Sequence, residues 1–213
     1  MAAKNSLKIY LQDGYYHLYN RGVAKNDIFL GPQDYSVFLS YLKEYLSPPI
    51  PPTPEELKLM EYTYFRKNYH ESINLLAFCL MPNHFHLLVK QNEARAIESF
   101  MRSLLIRYST YFNRHYQRVG HVFQDVYKGV LVNQEGYFLW LSRYIHRNPL
   151  ELLKNGERLS EYEYSSYPVY LGMRENEWVN SQEILGSIKD YKSFVEGPAS
   201  LEPKDISAYT LES

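Results

Sequence analysis

The order of hydrophobic patterns along the 213 residues predicts an α+β protein. Runs of apolar and aromatic residues, typical of strands, alternate with segments whose apolar residues recur every three or four positions, typical of amphipathic helices. Their order is strand, helix, strand, strand, helix, strand, with one more helix after them. This order predicts a ferredoxin-like βαββαβ sandwich with an antiparallel sheet and helices on one face, followed by a C-terminal helix and a small appendage.

The first strand and the first helix are predicted within the first fifty residues. Residues 15–23 are rich in aromatic side chains and end in a turn-forming Asn-Arg-Gly, which predicts a strand. We expect a structural role for His17, which has no partner nearby in sequence. Asn20 and Arg21, at the end of the strand, are candidates for polar contacts. Apolar residues recur at three and four positions over 34–46, which predicts an amphipathic helix.

A proline-rich stretch ends this helix. Four prolines within residues 48–52 cannot continue a helix and favour a stiff extended link. Thr53 is followed by a proline and two glutamates, a pattern typical of a helix start, which predicts that a second helix begins there. We interpret the segment of about 47–72 as an insertion in the domain.

A predicted β-hairpin carries the first half of a candidate site. Residues 73–81 and 84–90 are apolar runs joined by a Pro-Asn pair, and the second run begins with His84 and contains His86. Because side chains alternate between the two faces of a strand, these histidines share a face and can aim both imidazoles at one point. They can hold a divalent ion that keeps positions open for a phosphate. They can also be two buried rings bonded to backbone, and the pair alone leaves both interpretations open.

The next predicted helix, from Ala94 to about Arg118, is long and basic. Its arginines are Arg102, Arg107, Arg114 and Arg118. This set can be a solvated face, and its predicted place beside the hairpin makes a phosphate-binding face at least as plausible. Residues 120–132, which include Lys128, are strand-like and complete the predicted sheet.

The last predicted helix, from about Gln134 to Arg147, carries the second half of the site. Tyr144 and Asn148 are four residues apart and lie at the edge of its buried stripe, with Arg143 and Arg147 on the flanking arc. A phenol has a pKa of about 10 and needs a nearby cation or metal to act as a nucleophile. An amide oxygen suits Mg²⁺ or Mn²⁺. The alternative is a half-buried tyrosine and an asparagine that caps the helix before a proline.

Composition and charge limit the class of protein. The single cysteine, Cys79, excludes a disulfide framework or a cysteine-based zinc site within the chain, so a cytoplasmic protein is expected. There is no signal-peptide core and no apolar run long enough to span a membrane. The net charge of −1 is unevenly distributed: residues 1–149 carry +5 and residues 150–213 carry −6. The 22 tyrosines are a mild indication of stacking on unpaired bases.

Two segments taken together resemble a known family. Residues 81–88 (Met-Pro-Asn-His-Phe-His-Leu-Leu) and 143–149 (Arg-Tyr-Ile-His-Arg-Asn-Pro) are similar to the single-tyrosine HUH (IS200-like) transposases, specifically the REP-associated tyrosine transposase branch. Further similar segments are 19–22, 120–124 and 164–167. The resemblance runs from about residue 15 to 172, which implies a transposase domain over 10–150 and an appendage over 151–213.

The resemblance implies an enzyme that cuts and rejoins DNA strands. In such proteins a tyrosine, here Tyr144, attacks a phosphodiester of single-stranded DNA, becomes linked to the 5′-phosphate and releases a 3′-OH. It implies His84, His86 and Asn148 as ligands of Mg²⁺ or Mn²⁺, and an imperfect DNA hairpin such as a REP element as the substrate. We expect these residues to contact DNA: Asn20, Arg21, Arg102, Arg107, Arg114, Lys128, Arg143 and Arg147.

Two alternatives remain open at this point. One is a domesticated protein that binds DNA hairpins and no longer cuts them, since Asp125 and Val126 stand where many relatives have a basic residue. The other is a metal hydrolase in which water is the nucleophile. The sequence also leaves open whether the protein is a monomer or a homodimer, and whether Tyr144 serves its own subunit or a partner's.

Overall fold

A single four-stranded sheet forms the centre of the protein. The computed structural model describes residues 10–51, 67–132, 134 and 136–198. The strands are β1 (Tyr15–Arg21), β2 (Ile73–Met81), β3 (His84–Gln91) and β4 (Lys128–Val132). Their order is β2-β3-β1-β4, and each neighbouring pair is antiparallel. This order, with a helix after β1 and another after β3, confirms the predicted ferredoxin-like α+β fold.

Three longer helices accompany the sheet, and short helices follow them. The α-helices are α1 (Pro32–Leu46), α2 (Ala96–His115), α3 (Tyr137–Arg147), α4 (Tyr167–Tyr170), α5 (Gln182–Leu185) and α6 (Tyr191–Glu196). Short 3₁₀ segments lie at Val23–Lys25, Asn148–Glu151 and Leu159–Glu161. Among the described helices, none is long and apolar enough to cross a membrane.

The hairpin strands β2 and β3 are buried on both faces. Phe38 of α1 packs on Phe85 of β3, with ring centroids 5.3 Å apart, and on Tyr108 of α2 at 5.1 Å. On the opposite face, His86 of β3 packs against Tyr144 of α3 at 5.6 Å. The helices α1 and α2 therefore share one face of the sheet, as predicted, and α3 covers the other. Burial on both faces explains why these strands are almost continuously apolar.

The segment before β4 differs from the prediction. A strand was expected over 120–132, but regular pairing begins only at Lys128, and the earlier residues make one isolated bridge, between Phe123 and Gly22. Gly120 has a positive φ of 95°, and the Asp125 carboxylate accepts a hydrogen bond from the Val126 backbone. Local side-chain bonds of this kind compete with strand pairing.

The predicted insertion is described only at its ends. The predicted start of the second helix, at Thr53, lies outside the described residues. The Asn68 amide donates hydrogen bonds to the carbonyls of Glu44 and Ser47, at 3.2 and 2.8 Å. These bonds tie the end of the insertion to the C-terminal end of α1.

Residues after Pro149 cover the outer edge of β2. The backbones of Cys79 and Ser165 form an isolated antiparallel β-bridge, and the backbone N–H of Leu80 donates to the Tyr164 carbonyl at 2.9 Å. Further along the strand, the N–H of Asn180 donates to the carbonyl of Leu75 at 2.8 Å. Because an open strand edge invites pairing with other chains, this cover protects the sheet.

Candidate active site

Three strands bring candidate residues to one face of the sheet. In the antiparallel register His84 lies opposite Arg21, His86 lies opposite Tyr19, and Tyr19 lies opposite Lys128 on its other side. Direct partners in a register point to the same face. We call the face that carries these five residues the histidine face. It is the face that α3 covers.

His84 is oriented by its neighbour in the hairpin turn. Its Nδ1 and the side-chain oxygen of Asn83 are 2.6 Å apart. The Asn83 amide nitrogen donates to the carbonyl of Lys25 at 3.2 Å, so the oxygen accepts from His84. His84 therefore carries its proton on Nδ1, which leaves the lone pair of Nε2 for a ligand. Its ring is perpendicular to that of His86, with centroids 4.9 Å apart.

His86 has one satisfied nitrogen and one unsatisfied nitrogen. The ring is fully buried, and its Nδ1 lies 2.8 Å from Nε2 of His17. Its Nε2 is buried and has no hydrogen-bond partner in the described part of the chain. Buried polar atoms are rarely left without a partner, so this nitrogen indicates a site for a group that the protein does not itself supply.

The phenol of α3 lies against this pair. The ring of Tyr144 is nearly perpendicular to those of His86 and His17, at centroid distances of 5.6 and 6.1 Å. One turn later, the Asn148 amide nitrogen donates to the carbonyl of Tyr144 at 2.8 Å. This bond fixes the carboxamide and leaves its oxygen as the atom available to a ligand. The two halves of the candidate site therefore meet within one chain.

Burial keeps both imidazoles uncharged at neutral pH. Burial lowers the pKa of His84 to about 4, and the positive charge of Arg21 adds to the effect. The pKa of His86 also lies well below its usual value, first because of burial and then because of nearby His17, His84 and Arg21. The Asn148 side chain acts in the opposite direction on both rings. Neutral imidazole is the form that binds metals.

These residues fit a divalent metal. Among the described residues, no group of three or more His, Cys, Asp or Glu side chains can hold an ion, so any site here needs a different third ligand. The Asn148 carboxamide supplies one, because amide oxygens are ligands that Mg²⁺ and Mn²⁺ accept. The unpartnered Nε2 of His86 is the observation that supports this fit.

Two of the predicted DNA contacts share the histidine face. Arg21 lies close enough to both histidines to affect their pKa values, and its Nε is buried without a hydrogen-bond partner in the described residues. Lys128 is partly exposed, and its amine lies 3.6 Å from the Asp125 carboxylate. Asp125 therefore partly neutralises the lysine at the edge of the site.

Three other predicted contacts have structural partners instead. Asn20 lies on the face opposite the histidines, is 5% exposed and donates to the Asp125 carbonyl. Arg143 is fully buried and donates to three backbone carbonyls of residues 194–198, and Arg147 donates to two carbonyls of the same segment. The prediction that both arginines flank Tyr144 at the site is wrong, because they anchor the appendage to α3.

The basic residues of α2 lie on the other side of the sheet. Arg107 forms an ion pair with Glu44 at 2.8 Å, and its guanidinium stacks on Tyr41 at 3.9 Å. Arg102 and Arg114 are exposed on the same helix. The helix α2 packs on the hairpin, as predicted, but on the face of the sheet opposite the histidine pair. These arginines therefore do not line the candidate site, and their contact with DNA stays a prediction.

Sequence reasoning missed two residues of the site. His17 was expected to be structural, and it contacts both His86 and Tyr144. Only the pairing of β1 with β3, which joins residues 69 positions apart, brings it there. Asn83 was treated as part of a turn, although its place next to His84 was a usable signal.

Part of the chain is similar to a known family. The model of the family described as transposase IS200 like matches residues 56–148, a stretch that includes the histidine pair and Tyr144 and ends at Asn148. The resemblance to the IS200-like transposases that the sequence predicts is confirmed.

A solved structure has a similar fold. It is described as a REP-associated tyrosine transposase bound to a REP hairpin. It shares 11% sequence identity with this chain, covers 80% of this chain and 87% of its own, and superposes with a TM-score of 0.52. At this identity the likeness concerns the fold. No curated protein matches the chain in sequence.

Proposed function

We propose that this protein is a metal-dependent single-tyrosine endonuclease that cuts and rejoins single-stranded or hairpin DNA. The observation that carries the proposal is the meeting of Tyr144 with His84, His86 and Asn148 in one chain. A phenol beside a site for a divalent cation is the arrangement that attack on a phosphodiester requires. The match to the IS200-like transposase family supports the same reaction.

In the proposed reaction the Tyr144 oxygen attacks the phosphorus of a phosphodiester. A bond forms between this oxygen and the 5′-phosphate, the bond from phosphorus to the 3′-oxygen breaks, and the phenol proton leaves as the 3′-oxygen gains one. Attack of a 3′-OH on the phosphotyrosine reverses these steps and joins strands. The energy of the broken bond is kept in the protein–DNA link, so the rejoining step needs no nucleotide cofactor.

The chain's own residues orient the reacting groups. His84, His86 and Asn148 would hold Mg²⁺ or Mn²⁺, which when bound supplies positive charge to the scissile phosphate. The α3 backbone holds Tyr144 against the imidazoles, and the hydrogen bond from Asn148 to the Tyr144 carbonyl keeps both groups in fixed relation. Arg21, whose Nε has no partner within the described residues, is placed to donate to a phosphate oxygen.

We further propose a DNA hairpin with an unpaired segment as the substrate. The similar solved structure holds a REP hairpin, and the histidine face offers Arg21 and Lys128 to a backbone that approaches Tyr144. Arg102 and Arg114, exposed on the far side of the sheet, remain predicted DNA contacts that only a longer duplex stem can reach. Asp125 weakens the Lys128 contact, which keeps a hairpin-binding protein without cleavage as the second candidate.

The proposal is tested by trapping the covalent intermediate. Oligonucleotides that carry an imperfect hairpin and a randomised unpaired foot are incubated with the protein and Mn²⁺, and the products are separated on a denaturing gel. We expect a protein–DNA adduct that needs the metal and disappears in Tyr144→Phe. Tyr137→Phe, two turns earlier on α3, is the matched control and should keep the adduct.

Two other outcomes of this experiment would identify a different function. Cleavage that survives in Tyr144→Phe identifies water as the nucleophile and a metal hydrolase. Binding of the hairpin without any cleavage, unchanged in His84→Ala, identifies the binding protein.

A further inference from the structure

His17 is a third buried histidine on the histidine face. It lies on β1, is fully buried, and faces Leu88 in the register with β3, which places it diagonally across from His86. Its ring is nearly parallel to that of His86, with centroids 5.0 Å apart and planes 19° apart. Its Nε2 lies 2.8 Å from Nδ1 of His86. The contact is therefore a hydrogen bond between two ring nitrogens, and one of the two must donate.

The surroundings of His86 determine which nitrogen donates. If His17 donated, the proton of neutral His86 would be on its Nε2, a buried atom for which no acceptor in the described residues lies within hydrogen-bond geometry; the Asn148 side chain, which raises the pKa of this ring, acts on it from outside that geometry. A buried N–H without an acceptor is unfavourable, because the loss of its hydration is not offset. If His86 donates from Nδ1, the same Nε2 carries only a lone pair. The second arrangement is therefore favoured. It leaves the lone pair of the His86 Nε2 available to bind a metal.

His17 also supports the phenol. Its ring lies nearly perpendicular to that of Tyr144, at a centroid distance of 6.1 Å and an angle of 77°. The His17 imidazole thus contacts both His86, a proposed metal ligand, and Tyr144, the proposed nucleophile. His146, another fully buried histidine, bonds to Tyr191 and Ser166 instead.

We propose that His17 is a positioning residue that accepts a hydrogen bond from Nδ1 of His86 and thereby presents Nε2 of His86 to the metal. The inference rests on the proposed function, because it assumes that His86 is a ligand. Partners of this kind fix the ring orientation and tautomer of a metal-binding histidine, and their loss typically lowers metal affinity about 10- to 100-fold. The alternative is that His17 has only a packing role between β1 and α3.

Two substitutions separate the hydrogen bond from the volume. His17→Leu removes the acceptor and keeps an apolar side chain of similar size, whereas His17→Gln keeps an oxygen that can accept from His86. The control is His70→Leu, because His70 bonds to the Leu46 carbonyl at the end of α1, away from the histidine face. All variants are prepared free of metal, and their unfolding by urea is measured first.

Binding of Mn²⁺ to the metal-free full-length protein, measured by titration calorimetry without DNA, gives the readout. We expect His17→Leu to bind Mn²⁺ about 10- to 100-fold more weakly than the natural protein. His17→Gln should restore the affinity to within a fewfold, and His70→Leu should not change it. Equal affinity in His17→Leu and the natural protein overturns the inference, and so does an equal loss in the Leu and Gln variants.

His86→Ala distinguishes this inference from the proposed function. If His86→Ala weakens Mn²⁺ binding and His17→Leu does not, His86 is a ligand and only the role of His17 is wrong. If His86→Ala binds Mn²⁺ as the natural protein does, the proposed metal site itself is wrong, and the inference falls with it. Should His17→Leu fail to fold, the Gln variant decides, because natural affinity supports the hydrogen bond and a tenfold loss contradicts it.

Discussion

His146 shows what burial does to a histidine whose two nitrogens both have protein partners. It is fully buried on α3, its Nδ1 bonds to the Tyr191 hydroxyl at 2.8 Å, and its Nε2 bonds to the Ser166 hydroxyl at 2.7 Å. His86 is equally buried, and its Nε2 has no such partner in the described residues. His146 is therefore a structural histidine, whereas the unpartnered nitrogen of His86 makes it a candidate metal ligand.

The titration of His146 predicts how stability depends on pH. Burial lowers its pKa from about 6.5 to about 3, so between these values the unfolded chain binds a proton that the folded chain does not. Its contribution is complete above pH 6.5 and is lost as the pH falls toward 3. In His146→Gln the free energy of unfolding should fall less steeply between pH 6 and 4, by about 1.4 kcal/mol per pH unit.

Urea unfolding at several pH values measures this slope. The lowered pKa values of His84 and His86 act in the same direction and remain in the variant, so its curve should still decline on acidification. Parallel curves for the two proteins would show that His146 is protonated in the folded state, contrary to this account.

At the scale of the secondary-structure elements, the position of α3 matters most. This helix carries Tyr144 and Asn148, and contacts on its other side hold it in place. Arg143 donates from Nε to the Phe194 carbonyl and from Nη2 to the Gly197 carbonyl, both at 2.6 Å. The appendage is therefore part of the support of the proposed nucleophile.

Arg143→Lys tests this support. A lysine keeps the charge but cannot reproduce the fork of guanidinium donors, so we expect the free energy of unfolding to fall by about 1.5–3 kcal/mol. Because α3 is then less well held, adduct formation through Tyr144 should slow, while hairpin affinity by fluorescence anisotropy stays the same. Arg114→Lys, exposed on α2, is the control and should leave stability unchanged. Weaker DNA binding with natural stability would instead make Arg143 a phosphate contact.

At the scale of the whole molecule, one chain contains all parts of the proposed site. Tyr144 contacts His86 of the same chain, so a single protomer is expected to cut DNA. We predict that a mixture of Tyr144→Phe and His86→Ala proteins forms no more adduct than either variant alone. Recovery of the adduct in the mixture, measured on a denaturing gel, would show that the tyrosine acts on a partner's metal site.

The sequence predicted the fold well because its strongest patterns are local. Strands β2 and β3 begin and end within one residue of the predicted bounds, since their apolar runs are long and a Pro-Asn turn separates them. The prediction failed before β4, where a positive-φ glycine and the Asp125 side chain replace strand pairing. These local bonds leave little trace in an apolar pattern.

The candidate site was predictable in its chemistry and less so in its surroundings. A helical wheel places Arg143 next to Tyr144, but the wheel does not show that the segment 194–198 returns to occupy that flank. Strand alternation could have separated Asn20 from Arg21, because only one of two consecutive residues can share a face with the histidines. The role of His17 depends on long-range register, which no local pattern contains.

The central claim is that Tyr144 is the residue that becomes joined to DNA. Its most direct test is to trap the adduct formed with Mn²⁺ on hairpin oligonucleotides, digest the protein and DNA, and identify the modified peptide by mass spectrometry. The account predicts a nucleotide linked through its 5′-phosphate to Tyr144 and to no other tyrosine. Attachment to a different residue, or cut DNA with no covalent species, would contradict it.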